Sequence, residues 1–218
     1  MPEKFTDKLI NDKGASLADE VYQNQFIQNI KKGIIEPQYL IDYVNQDNKY
    51  LDLFVEIHAK LLNEVENEGL KNLFQNIIDS KERIQHERLC ELAEVKLDNI
   101  LNDEMLSGTK KYMNNMQQAL ETNNQLMIIS AILPCHWIYY QFATRLMNEG
   151  MKKDNPYYDW VVFYADSEES IDLIFNYLNQ IADSYSKEDQ IKAQNYFNEN
   201  CAYENQFFQQ VLDKKEDK

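Results

Sequence analysis

The stretch Leu133-Pro134-Cys135-His136-Trp137-Ile138-Tyr139 lies within the most apolar segment of the chain, residues 126–140. A proline inside a helix removes one backbone hydrogen bond and bends the axis, which would give a bent core helix with a small buried thiol. If Pro134 instead begins a helix, Cys135 lies in the first turn, where unpaired N–H groups favour the thiolate. In both cases Tyr139 follows one turn later on the same face as Cys135. The segment therefore predicts a helix that carries either a reactive or an inert cysteine.

The composition around this segment favours long helices. The 218 residues include 5 glycines and 4 prolines, fewer than the many tight turns of a β or α/β protein of this length would need. No convincing strand-like alternation of apolar and polar residues occurs, and no linker or repeat divides the chain. We therefore predict an all-α, single-domain helical bundle over residues 1–218, with an ordered core over about 5–211 and a charged tail over 213–218.

Glycine, proline and the spacing of apolar residues give the expected helix boundaries. Gly33 and Gly150 are expected to end helices, whereas Pro37 and Pro156 are expected to begin them. We predict helices over about residues 5–21, a short stretch ending at 32, 37–66, 70–94, 112–121, 123–149, 156–164, 167–185 and 187–212.

The net charge and the apolar segments of the chain indicate which binding partners and which cell compartment to expect. A formal net charge of −15 argues against binding to nucleic acid or to anionic membranes, because an acidic surface repels phosphates. Residues 1–5 contain no secretory apolar segment, and residues 126–140 fall short of the roughly 20 apolar residues that span a bilayer. The three cysteines form no CxxC pair, which indicates neither a disulfide scaffold nor a zinc ribbon. We expect a soluble cytoplasmic protein with reduced thiols.

Two acidic residues lie among aromatic ones. Asp47 shares a helical stripe with Tyr43, Tyr50 and Phe54, where a carboxylate is costly to bury unless it is paired or bound to a ligand. Glu204 precedes Phe207 by three residues, and an acid in an apolar pocket has a raised pKa and can donate a proton near neutrality. The alternative for Asp47 is a solvated boundary position, and for Glu204 a surface position on an amphipathic helix.

The chain has 14 tyrosines, several of which fall on predicted apolar helix faces. Such stripes are usually core, but tyrosines that converge on a cavity would stack on a flat heteroaromatic ligand and donate hydroxyl hydrogen bonds to it. The tyrosines on these faces are Tyr50, Tyr112, Tyr139 and Tyr164.

The three histidines argue against metal chemistry. No Glu-x-x-His occurs, which removes the ligand pair that a helical di-iron bundle needs, and the first 57 residues contain no histidine to serve as an axial haem ligand. His136 lies about 100° around the helix from Cys135 and is not automatically its base. Cys90 and Cys201 are interpreted as inert buried thiols.

Four segments in this order resemble the TenA/thiaminase II family of aminopyrimidine aminohydrolases. They are Gln46-Asp47-Asn48-Lys49-Tyr50-Leu51, Leu133-Pro134-Cys135-His136-Trp137-Ile138-Tyr139, Asp159-Trp160-Val161-Val162-Phe163-Tyr164 and Tyr203-Glu204-Asn205-Gln206-Phe207. Residues 26–34 and Glu82-x-x-x-His86 also fit in register, so the resemblance covers about residues 5–211. The cysteine segment is its most specific part and favours the cysteine-dependent branch of the family.

The resemblance implies a haem-oxygenase-like all-α fold assembled as a homotetramer. It also implies a hydrolase that removes a substituent from the methylene carbon of a 4-amino-2-methylpyrimidine. The substrate would be thiamine or the aminomethyl pyrimidine from its breakdown, and the product would be hydroxymethyl pyrimidine for thiamine salvage. No metal or organic cofactor is needed for this chemistry.

The resemblance also assigns roles to individual residues. Cys135 would be the nucleophile, Glu204 the proton donor and acceptor, and Asp47 the group that holds the ring nitrogen or the amino group. The substrate-binding residues would be Tyr112 and Tyr164, which orient the ring, and Tyr50, Tyr139 and Phe207, which line the pocket. The chain departs from the family pattern at Asn24-Gln25, Lys49, Gln141 and Phe208, which affects the expected pocket shape.

Two other functions remain open from the sequence. One is a non-catalytic pyrimidine-binding or regulatory protein on the same scaffold, although the charge of −15 makes direct DNA binding a poor fit. The other is a redox or tetrapyrrole enzyme with the same bundle, against which the scarce histidines count.

Overall fold

The computed structural model describes residues 3–80, 82–102 and 104–213, and within these ranges every regular element is helical. The elements are α1 (Phe5–Leu9), a π-helical turn (Ile10–Gly14), α2 (Ala15–Gln23), α3 (Gln25–Lys32), α4 (Pro37–Glu64), α5 (Glu68–Ser80), α6 (Arg83–Leu92), α7 (Leu97–Ile100), α8 (Ser107–Glu121), α9 (Gln125–Asn148), α10 (Tyr158–Ala165), α11 (Glu168–Ala182) and α12 (Lys187–Asp213). The all-α prediction is confirmed. Residues 214–218 of the predicted tail lie outside the described residues, and the single-domain assignment stays a prediction.

Local chemistry explains several helix ends that the sequence predicted. Gly33 adopts φ 72° at the end of α3, and Gly150 adopts φ 84° just after α9, both in the left-handed region that glycine enters without a steric penalty. Asn24 starts α3, since its side-chain oxygen accepts from the backbone N–H of Phe26 at 2.9 Å. Pro37 occupies the first turn of α4, where its missing N–H has no intrahelical partner to lose.

The predicted single helix over residues 70–94 is wrong, because the structure has two helices there, α5 and α6. Glu82 adopts φ 50° and ψ 17° between them, a left-handed conformation that ends helical propagation. The predicted first helix is interrupted by the π-helical turn. A Cβ on Gly14 would lie 2.7 Å from the carbonyl oxygen of Leu9 and 2.9 Å from the Phe197 ring, so glycine permits the close approach of this turn to α12.

Further boundaries differ from prediction. Pro156 does not begin a helix, because it lies in a turn and α10 begins at Tyr158. Helix α8 begins at Ser107 rather than near Tyr112, with Gly108 inside its first turn against the side chain of Gln210. The short helix α7 was not predicted, since four residues are too few to show a helical period.

Pro134 lies in the middle of α9, so the interpretation that it begins a helix is wrong. Cys135 therefore lies more than two turns from the N-terminus of α9, and the dipole of its own helix gives its thiolate no stabilisation. Helix α9 extends beyond the predicted apolar run, and by length and composition it could cross a membrane. However, 83% of its most apolar 18-residue window is buried inside the structure, as in the core helix of a soluble protein.

Helix α9 is the centre of the bundle, in contact with α2, α8, α10, α11 and α12. Beside it five aromatic rings form what we call the aromatic core: Phe26, Tyr43, Phe142, Trp160 and Phe208. Tyr43 stacks on Phe208 with ring centroids 5.8 Å apart, and Phe142 stacks on Trp160 at 5.9 Å. Burial of each such ring contributes about 1.5–3 kcal/mol, and this packing holds α4, α9 and α12 in register.

Candidate active site

A small cavity with an empty volume of about 160 Å³ lies where α4, α8, α9 and α12 meet. Its lining consists of Asp47, Tyr50, Tyr112, Cys135, Tyr139, Glu204 and Phe207. These are seven of the eight site residues predicted from the sequence. The eighth, Tyr164 on α10, does not line the cavity but packs against Tyr139 with ring centroids 4.7 Å apart.

The spacing of these residues explains how distant segments converge. Asp47 and Tyr50 are three residues apart on α4, Cys135 and Tyr139 are four apart on α9, and Glu204 and Phe207 are three apart on α12. Side chains three or four positions apart share a helix face, so each helix presents a pair to the cavity. Tyr112 comes alone from α8.

Glu204 lies at the end of a hydrogen-bond chain across the cavity. The Tyr112 hydroxyl donates to Glu204 Oε1 at 2.7 Å, and the Tyr50 hydroxyl donates to that of Tyr112 at 3.3 Å. Burial raises the pKa of Glu204 to about 8, opposed by the Tyr112 hydrogen bond and reinforced by the negative charges of Asp47 and Glu82. At neutral pH this carboxyl group is therefore protonated and can donate a proton.

Asp47 is held differently, by a histidine that the sequence analysis left without a role. His86 Nε2 donates to Asp47 Oδ2 at 2.8 Å, and both side chains are buried. Burial alone would lower the pKa of His86, but the hydrogen bond and charge of Asp47, together with the charge of Glu82, raise it above its ordinary value. The two side chains form a buried, hydrogen-bonded pair beside the cavity.

Glu82 makes a similar contact to Tyr164 on α10. The Tyr164 hydroxyl donates to Glu82 Oε2 at 2.7 Å. Burial and the charge of Asp47 raise the pKa of Glu82 to about 7, although the hydrogen bond from Tyr164 and the charge of His86 oppose this. The cavity and its rear wall thus contain three carboxyl groups, on Asp47, Glu82 and Glu204.

Cys135 is partly accessible, whereas Cys90 and Cys201 are buried. Burial raises the pKa of the Cys135 thiol well above its ordinary value, and the charges of Glu204, Glu82 and Asp47 raise it further. A hydrogen bond with Tyr50 acts in the opposite direction. At neutral pH the sulfur is therefore a thiol rather than a thiolate.

On the other side of Cys135, His58 and His136 form a buried histidine pair with their Nε2 atoms 3.3 Å apart. His58 Nδ1 donates to the Phe54 carbonyl at 2.7 Å, so its Nε2 accepts from His136. Burial lowers the pKa of His58 to about 4. It also lowers the pKa of His136 to about 3, with a further decrease from the charge of His58. Both rings are neutral, and His136 is no base for Cys135 at neutral pH.

The sequence analysis missed three polar side chains around the cavity: Glu82, His86 and Tyr43. Tyr43 shares a hydrogen bond of 2.8 Å with the Tyr139 hydroxyl and connects the aromatic core to the cavity. The four-residue spacing of Glu82 and His86 was visible as a feature of the resemblance, but the sequence gave no partner for either. In the described residues, no group of three or more His, Cys, Asp or Glu side chains is arranged to hold a metal ion.

Comparison with known proteins gives consistent matches along the chain. The sequence pattern of the TENA/THI-4/PQQC family matches residues 12–214. An aminopyrimidine aminohydrolase from Staphylococcus aureus (strain bovine RF122 / ET3-1) is 25% identical over 216 residues, covering 96% of this chain and 94% of the relative.

Two solved structures share the fold. A TenA homologue from Pyrococcus furiosus superimposes with a TM-score of 0.80 at 19% identity, covering 95% of this chain and 99% of that chain. A protein described as a TenA-like thiaminase from Sulfolobus solfataricus P2 gives a TM-score of 0.77 at 19% identity, with 96% of each chain covered.

Proposed function

The chain belongs to the TENA/THI-4/PQQC family, and from this premise we propose that it is a thiamine-salvage hydrolase that acts on 4-amino-2-methylpyrimidines with Cys135 as its nucleophile. One observation carries the proposal: a single cavity is lined by a thiol, two carboxyl groups and four aromatic rings. The name of the Staphylococcus aureus relative, aminopyrimidine aminohydrolase, supports the same reaction class.

The lining suits a flat heteroaromatic ring. Tyr50, Tyr139 and Phe207 offer aromatic faces, and burial keeps the tyrosine hydroxyls neutral because it raises their pKa values. Asp47, held in place by the hydrogen bond from His86, accepts hydrogen bonds from the amino group of the ring. Tyr112 and Tyr164 orient the ring and its partners.

The reaction begins when Cys135 adds to the ring. Its sulfur bonds to the ring carbon next to the substituted one, and its proton goes to the adjacent ring nitrogen, which ends the aromaticity. The amino group then pushes electrons through the ring and expels the substituent from the methylene carbon. Asp47 stabilises the positive charge that develops on the amino group.

Glu204 supplies the protons for the two later steps. Its neutral carboxyl group gives a proton to the departing amine, as its pKa of about 8 allows. The resulting carboxylate takes a proton from the water that adds to the exocyclic methylene, and loss of the sulfur with return of the ring proton restores the aromatic ring. Covalent catalysis divides one difficult displacement into these easier steps.

The cavity size favours a one-ring substrate. The space between its lining side chains amounts to about 160 Å³. The aminomethyl pyrimidine from thiamine breakdown fits this scale better than thiamine, whose second ring must extend beyond the cavity. We propose the one-ring compound as the preferred substrate of a cytoplasmic homotetramer.

The test is hydrolysis of 4-amino-5-aminomethyl-2-methylpyrimidine by the wild type, Cys135→Ser and the matched control Cys90→Ser. We expect the wild type and Cys90→Ser to form hydroxymethyl pyrimidine and Cys135→Ser to lose nearly all activity. If the wild type binds the compound without turnover, the chain is a pyrimidine-binding protein. Full activity of Cys135→Ser would remove the cysteine mechanism.

A further inference from the structure

Behind the cavity, one turn of the chain carries two side chains that hydrogen-bond to proposed substrate-binding residues. His86 donates to Asp47 at 2.8 Å, and Glu82 accepts from Tyr164 at 2.7 Å. Neither Glu82 nor His86 lines the cavity itself. Because they are four residues apart at the start of α6, this segment, which we call the 82–86 turn, reaches α4 and α10 at once.

The backbone of the 82–86 turn is fixed despite local strain. Glu82 adopts φ 50°, a conformation that disfavours a residue with a Cβ by roughly 1–2 kcal/mol. Its carbonyl oxygen accepts from the backbone N–H groups of Gln85 at 2.8 Å and His86 at 3.2 Å. Strained conformations of this kind persist where the surroundings determine them, and they are concentrated at functional sites.

The hydrogen bond from His86 holds the Asp47 carboxylate in one orientation. Since Oδ2 of Asp47 is occupied by His86, Oδ1 remains for a ligand in the cavity. Without a partner, a buried carboxylate would rotate toward water or take up a proton, and it could then no longer accept a hydrogen bond from a ligand at a fixed position. A buried hydrogen bond between an acid and a histidine seldom adds stability over an apolar pair of similar volume, so its place beside the cavity points to a role in the site.

We propose that Glu82 and His86 are positioning residues of this enzyme, in which His86 fixes the Asp47 carboxylate and Glu82 fixes the Tyr164 hydroxyl in the orientations that the substrate ring requires. The inference rests on the proposed function, because it concerns the residues that bind the pyrimidine. Neither positioning residue touches the substrate, so both act through their partners.

The test uses His86→Gln, which keeps an N–H donor, and His86→Leu, which removes it. With 4-amino-5-aminomethyl-2-methylpyrimidine as substrate, we expect His86→Leu to raise KM about tenfold, with a smaller change in kcat and substantial recovery in His86→Gln. Gln85→Leu, at the adjacent buried position of α6, is the matched control and should leave KM unchanged. By the same logic, Glu82→Gln still accepts from Tyr164 and should bind the substrate better than Glu82→Leu.

A double-mutant cycle separates positioning from a merely structural role. If His86 acts through Asp47, Asp47→Asn combined with His86→Leu binds the substrate no worse than Asp47→Asn alone. Multiplied losses in the double variant, or a normal KM in both folded His86 variants, overturn the inference while leaving the proposed function intact. If His86→Leu does not fold, the His86→Gln cycle decides. A wild type without binding or turnover overturns both proposals.

Discussion

Two buried regions flank Cys135, and they treat ionisable side chains in opposite ways. On the cavity side, the carboxyl group of Asp47 raises the pKa of His86 above its ordinary value. On the other side, His58 and His136 contact each other, His58 also bonds to the Phe54 carbonyl, and burial lowers their pKa values to about 4 and 3. The same residue type therefore binds a proton more readily in one region and less readily in the other. Burial alone does not set the charge of a histidine; an adjacent acid does.

The largest expected effect on activity comes from replacing Glu204, the acid that we propose as the proton donor. Glu204→Gln keeps the shape of the side chain and an acceptor for Tyr112 but cannot donate a proton to the leaving amine. We expect kcat for the aminomethyl pyrimidine to fall about a hundredfold or more, the range typical of a lost general acid. Steady-state kinetics alongside binding of hydroxymethyl pyrimidine will check this. Equal losses in kcat and in binding would point to a structural role for Glu204.

The same substitution changes how stability depends on pH. The pKa of Glu204 rises from its ordinary value of 4.5 to about 8 on folding, so between these values the native state binds more protons than the unfolded state. Stability must then decrease as the pH rises through this window. We expect Glu204→Gln to lose less stability than the wild type between pH 5 and about 8. Thermal melts across this range test it, and identical slopes for both proteins would contradict the raised pKa.

The histidine comparison can be measured directly, because the chain contains only three histidines. In an NMR titration of the wild type, the His86 ring should titrate above its ordinary pKa, whereas His58 and His136 should stay neutral until about pH 4 and 3. The lowered pKa values of His58 and His136 also predict that the native state becomes less stable as the pH falls from about 6.5 toward 4. In this range only the unfolded state binds protons at these two residues. Three rings titrating together near pH 6.5 would refute the contrast.

The smallest effect is expected at the hydrogen bond that joins the aromatic core to the cavity. Tyr43→Phe removes the hydroxyl that bonds to Tyr139 but keeps the stacking on Phe208. We expect a loss of about 1 kcal/mol in the free energy of unfolding and a kcat close to that of the wild type. Urea denaturation combined with an activity assay will check both. A large loss of activity would mean that Tyr43 acts in the site and not only in the core.

The helical period made most of the fold predictable, as did the glycines and prolines that end or begin helices. Gly33, Pro37 and Gly150 have the conformations that their residue types favour, so a local signal was sufficient. The break at Glu82 was not predictable in this way, because glutamate favours a helix and only tertiary contacts hold it in a left-handed conformation.

In the candidate site, too, contacts within one helix were predictable from the sequence and contacts between distant segments were not. Pairs such as Asp47 with Tyr50 and Cys135 with Tyr139 share a face within one helix, and their spacing was visible in the sequence. The contact between Asp47 and His86 joins residues 39 positions apart, and no local pattern predicts such a pairing. No local pattern predicted the protonation of Cys135 either, since burial in the folded bundle raises the pKa of its thiol and three carboxyl groups from three parts of the chain raise it further.

The thiol form of Cys135 has a consequence for the lifetime of the protein. Peroxide and alkylating agents react with thiolates, so a sulfur that retains its proton at neutral pH is a poor target for them. In the proposed mechanism, its reactivity arises only when a ring nitrogen of the substrate is present to take up the proton. The burial and the nearby acids that keep this sulfur protonated therefore also protect it from irreversible oxidation.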